Sequence, residues 1–135
     1  MGAALYIVLD RKDPSVENVL DGKALSRTDG ELASLARRLG VRPLMEFFSM
    51  SAEEFEADVA QFNPFGSGGE VPPHEEQWFA AEEGLVTVRA LLGHLRAHPQ
   101  AFPGSDAALS DLEDCAYVLE AADKRGIRWH LSVDY

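Results

Sequence analysis

A single cysteine, Cys115, stands in 135 residues, so no internal disulfide staples the chain and the disulfide-framed secreted scaffolds are excluded. Long hydrophobic runs are missing too. The longest lies around residues 3–9, far short of the ~20 residues a membrane-spanning helix needs. No charged start with an apolar core and a small-residue cleavage site precedes it. A soluble, cytoplasmic protein of bacterial type is expected. Basic residues are scarce: 12 Lys and Arg against 23 Asp and Glu give a formal charge of −11. Nucleic-acid binders draw their affinity from cations that neutralise phosphates, so no nucleic-acid partner is expected, and no membrane partner either.

The scarcity is uneven. Between Arg42 and Arg89 there is no lysine or arginine, yet that span holds Glu46, Glu53, Glu54, Glu56, Asp58, Glu70, Glu75, Glu76, Glu82 and Glu83. The remaining acids nearly balance the basic residues, so almost the whole net charge sits in the middle third. The same third holds seven of the twelve aromatic residues: Phe47, Phe48, Phe55, Phe62, Phe65, Trp78 and Phe79.

What is present otherwise describes an ordinary globular chain, 46% hydrophobic and 26% charged, long enough to bury a core as one domain over 1–135. The apolar run ALYIVL (4–9) reads as a covered strand. Asp21-Gly22 is a turn signal, and GKAL after it reads as a second strand or a connection. Thr28-Asp29-Gly30-Glu31 has capping-box spacing, and Leu32, Leu35, Ala36 and Leu39 form a helical stripe that Gly40 ends. Ser51-Ala52-Glu53-Glu54 repeats the pattern ahead of Phe55, Val59 and Phe62, and Pro64 stops it. Leu85, Val88, Leu91, Leu92 and Leu95 mark a third helix ending near Pro99. Leu109, Leu112, Cys115, Ala116, Leu119 and Ala122 mark a fourth, capped by Ser105 or Ser110. From Ile127 to Tyr135 apolar residues alternate strictly with Arg128, His130, Ser132 and Asp134, which predicts a strand with one wet face. The fold class is therefore α+β: a small sheet of two to four strands including both termini, with about four helices packed on it.

Between these elements lies FGSGGEVPPHEEQW, residues 65–78, with a flexible loop expected at about 63–77. Its glycines follow a helix end and Pro64 rather than a strand, and glutamates surround them, so they lack the setting of a phosphate cradle. Of metal ligands, His94 and His98 lie four apart on a helix, a spacing that chelates from one face, and His74, Glu75 and Glu76 supply further donors. Both histidines fall away from the apolar stripe, and the H-E-x-x-H pattern is missing. His130, Ser132 and Asp134 share a strand face about 7 Å apart, too far to relay protons unaided, although His130 can still pair with a group from elsewhere. Cys115 falls on a buried stripe and reads as an inert thiol. No motif implies a cofactor.

Aromatic anchors set in unopposed negative charge suit the docking of a basic protein, since charge steers encounter and buried rings supply affinity. The expected function is a small accessory, inhibitor or immunity-type protein that binds a basic partner through Phe65, Glu70, Glu75, Glu76, Trp78, Phe79, Glu82 and Glu83. The alternative is a small metal-dependent enzyme using His74, Glu75 and Glu76 with His94, His98 or His130. Homodimerisation through the last strand is compatible with either, provided that strand is a sheet edge.

Overall fold

The structure, a computed structural model, describes residues 3–51 and 76–134. Among these, β1 (Ala4–Leu9) is followed by α1 (Lys23–Arg27), α2 (Asp29–Leu39), a 3-10 turn (Leu44–Phe47), α3 (Ala81–Ala97), α4 (Ser105–Lys124) and β2 (Trp129–Asp134). The helix expected after Ser51 and most of the loop expected at 63–77 lie outside the described residues.

The two strands near the termini pair antiparallel, Leu5 opposite Val133 and Leu9 opposite Trp129, giving the small α+β architecture. Period two then divides the sheet. Leu5, Ile7, Leu131 and Trp129 share the face that joins the core. Tyr6, Val8, His130 and Ser132 share the other. Here the structure departs from the expected wet face, because His130 is 1% exposed and Ser132 3%. Strict alternation records which residues share a face; it does not record which distant segment of chain covers that face.

The core lies between the sheet and the helices. α3 and α4 form an antiparallel pair whose facing stripes, Leu85, Val88, Leu91, Leu92 and Leu95 against Leu112, Cys115, Val118, Leu119 and Ala122, are buried. Cys115 is fully buried, and loss of hydration with Asp111 and Asp114 nearby pushes its thiol up to about 12; it stays protonated at neutral pH and packs as a small hydrophobe. Trp129 reaches from β2 to α3. At Gly84 an added Cβ would stand 2.2 Å from its ring carbon Cζ2, so the indole occupies the space that only a glycine leaves.

Local signals were partly overridden. GKAL is neither strand nor simple connection but the five-residue helix α1. Its start is held by a remote group: Asp111 of α4 accepts the backbone N–H of Ala24 at 3.1 Å and of Leu25 at 3.2 Å. Gly22, before it, has φ +75° and would place a Cβ 1.6 Å from the Leu5 carbonyl oxygen, while its own carbonyl accepts the Leu5 N–H at 3.0 Å. The close approach of β1 to this turn therefore requires glycine. The capping box at Thr28 does not form, because the Thr28 hydroxyl donates back to the Ala24 carbonyl at 2.7 Å and so serves the end of α1, not the start of α2. Likewise Gly104 precedes α4, and the Ser105 hydroxyl donates to the Pro99 carbonyl at 2.5 Å.

Candidate functional site

The acidic span leaves the described fold at Ser51 and returns at Glu76, and the two roots are fastened together. The Gln77 N–H donates to the Ser49 hydroxyl at 2.8 Å. Both roots also pair with β2 through backbone: the Ser49 N–H donates to the Leu131 carbonyl at 3.0 Å, and Phe79 and Trp129 exchange two hydrogen bonds, 2.8 and 2.9 Å. β2 is thus flanked by β1 on one side and by these short bridges on the other, so around residues 129–131 it is not the open edge that strand-to-strand dimerisation would need.

On the outer face of the sheet, His130 Nε2 lies 2.6 Å from Glu76 Oε2, and His130 Nδ1 lies 2.9 Å from the Leu131 carbonyl oxygen. A carbonyl can only accept, so Nδ1 carries the proton there. Both imidazole nitrogens are thus engaged within the fold, and the pair ties the returning chain to β2. Trp78 packs on the same histidine, ring centroids 4.7 Å apart. Ser132, although buried on this face, is not the partner of His130.

The next residue returns to the core side. Phe79 meets Phe47 edge to face with centroids 5.2 Å apart, and Phe47 stacks on Trp129 at 5.0 Å, contacts worth about 0.5–1.5 kcal/mol each beyond buried area. Arg42, the last cation before the acidic span, places its guanidinium carbon 4.7 Å from the Phe47 ring centre and 5.0 Å from that of Phe79, a pair of cation–π contacts that seal the edge of this stack. The Thr87 hydroxyl of α3 donates to the Arg42 carbonyl at 2.6 Å and fixes the same corner.

Of the residues picked out by sequence for partner binding, Phe65, Glu70 and Glu75 lie outside the described residues. Glu76 and Trp78 are engaged with His130, and Phe79 with Phe47. Glu82 and Glu83 are exposed in the first turn of α3, where carboxylates complement the helix N-terminus. Glu46, in the 3-10 turn, is exposed as well. Among the described residues none of these three forms an ion pair. Of the metal candidates, His74 lies outside the described residues. His94 is half-buried and His98 exposed, with ring centroids 4.6 Å apart. No third histidine, cysteine or carboxylate completes a metal-binding group among the described residues, so the described part of the enzyme alternative stops at two ligands.

Arg42 and the clamp role of His130 were not read from sequence. The signal for His130 was its place on a polar strand face; its partner lies 54 residues away in the chain, where no local spacing rule reaches. No helix among the described residues is long and apolar enough to cross a membrane. Comparisons with protein-family models, with curated proteins and with solved structures give no match to this chain.

Proposed function

We propose that this chain is a small cytoplasmic accessory protein, of the inhibitor or immunity type, that docks a basic protein partner through the acidic span between Glu46 and Glu83. The observation that carries the reading is the joining of the two ends of a span without lysine or arginine. Because Ser49 and Gln77 are hydrogen-bonded, Glu46 at one root and Glu82 and Glu83 at the other rise from neighbouring elements, exposed and unopposed among the described residues. The intervening acids, Glu53, Glu54, Glu56, Asp58, Glu70 and Glu75, follow and precede these roots in sequence and lie outside the described residues. A concentrated single-sign field of this kind steers a basic partner into encounter and discriminates against acidic ones. A basic partner surface would be masked stoichiometrically rather than modified, which matches a chain whose buried histidine is committed to a clamp.

The test is affinity capture from the source cytosol with immobilised protein, followed by binding of the purified captured protein across a salt series. The expected partner is basic, its affinity falls steeply as salt rises, and Glu82→Lys with Glu83→Lys weakens it at least tenfold at low salt while circular dichroism stays unchanged. Binding that ignores both the charge reversal and the salt concentration would sink the reading.

A further inference from the structure

α3 ends on two histidines set one helical turn apart. His94 lies in its last turn and His98 caps it, the His98 N–H donating to the His94 carbonyl at 2.8 Å, so a closed turn of backbone fixes their spacing. Residues four apart on a helix are surface neighbours, and the two rings meet with centroids 4.6 Å apart. Both fall on the far side of α3 from Arg89 and Arg96, whose guanidinium groups reach across to Glu120 and Glu113 of α4. His94 is half-buried and His98 exposed, so solvent reaches the pair. Among the described residues neither imidazole has a hydrogen bond or an ion pair, and an imidazole without a partner has a nitrogen lone pair to offer.

We propose that His94 and His98 chelate one divalent transition-metal ion of the copper, nickel and zinc class. The ring separation carries the proposal. A ligating imidazole nitrogen sits about 2.0–2.1 Å from the ion, and the ring centre lies roughly 1.1 Å beyond the nitrogen. Two rings on one ion, at the angles of about 90–110° that square and tetrahedral coordination require, therefore have centres about 4.5–5.2 Å apart. The observed 4.6 Å falls in that interval, so the ion needs no movement of the backbone to be held. The end of α3 helps, because the last carbonyls of a helix form the negative end of its dipole and favour a cation.

The ligands also select the ion. Imidazole nitrogen suits Cu²⁺, Ni²⁺ and Zn²⁺, whereas Mg²⁺ and Ca²⁺ take oxygen ligands and would be drawn to the carboxylates of a chain of formal charge −11. The two kinds of binding are thus separable by choice of metal. No third histidine, cysteine or carboxylate completes the set among the described residues. An ion on His94 and His98 keeps open positions for water or for a ligand brought by another molecule, unlike the closed four-ligand sites that hold folds together.

Isothermal titration with Cu²⁺ and with Zn²⁺, in excess Mg²⁺ to occupy the carboxylates, tests it. One ion per chain is expected, with Cu²⁺ bound more tightly than Zn²⁺. His94→Ala and His98→Ala should each weaken binding at least tenfold while circular dichroism stays unchanged. Adding Ala90→His to His98→Ala should restore most of the loss, because a histidine four residues before His94 rebuilds the pair one turn earlier. Adding Arg96→His to His98→Ala should restore nothing, because position 96 lies on the opposite face of α3 from His94. A chain that takes up neither ion at one per chain up to millimolar concentration overturns the proposal. Binding that His94→Ala and His98→Ala leave unchanged overturns it too, because other side chains would then hold the ion.

Discussion

Asp111 carries the main electrostatic tension of the core. Its carboxylate accepts two N–H groups at the start of α1, which favours the charged form, but loss of hydration outweighs them and its pKa is raised above 3.8. The folded state then holds this proton at pH values where the unfolded chain has released it, so the contribution of Asp111 to stability is fully present below 3.8 and falls as pH rises through the raised value. Asp111→Asn keeps an acceptor oxygen for α1 and removes the buried charge. Urea titrations of both proteins should agree most closely below pH 3.8, with the variant gaining on the wild type as pH rises through the window just above; a difference independent of pH would mean that the carboxylate is not held protonated by the fold. Asp111→Ala, which leaves the N–H groups of α1 without an acceptor, is expected to cost about 1–3 kcal/mol. Nothing near Asp111 in sequence announces this role, since its partners lie 86 and 87 residues away.

Among elements, the long helices and terminal strands were legible because each buries a stripe or face of its own, and a periodic stripe is a local property of sequence. What was not legible was decided by distant neighbours. α1 exists because Asp111 caps it and Gly22 allows β1 to approach, and α3 begins at Ala81, ahead of the apolar stripe at Leu85. The outer face of β2 is covered because Glu76 and Trp78 return to His130. Two glycines of α3 express the same division between local and tertiary control. Gly84 faces Trp129, so Gly84→Ala must move an indole packed between Phe47 and the helix and is expected to destabilise by about 1–3 kcal/mol through overpacking. Gly93→Ala, with open space around its Cβ, should stabilise the monomer by about 0.5–1 kcal/mol. Chemical denaturation at low protein concentration checks both signs. Equal effects at the two positions would show that helix propensity, and not the Trp129 contact, sets the cost at Gly84.

For the whole molecule, composition and spacing revealed the α+β class and the concentration of charge, while the fastening of the acidic span by Ser49, Gln77 and His130 emerged only from the fold. That charge has a consequence for stability as a whole. A chain of this length has a radius of gyration of about 14 Å. At about 0.01 M salt the screening length is about 30 Å and every charge feels every other; at about 0.15 M it is about 8 Å and only neighbours interact. Local pairs such as Arg128 with Asp10 at 3.1 Å and Arg125 with Asp13 at 3.5 Å survive much of that change, whereas repulsion summed over a formal charge of −11 does not. The melting temperature of dilute protein should therefore rise between these two salt concentrations and then level off. Neutralising Glu82 and Glu83 to glutamine should flatten the rise, although each loses the favourable placement of a carboxylate at the start of α3, worth about 0.3–1 kcal/mol. At low salt the relief of repulsion opposes that loss; added salt screens the long-range repulsion more strongly than the short-range contact with the helix start. The variant should thus compare better with the wild type at low salt than at high, and a melting temperature that fell with added salt would mean that attractive pairs outweigh the repulsion within the acidic span.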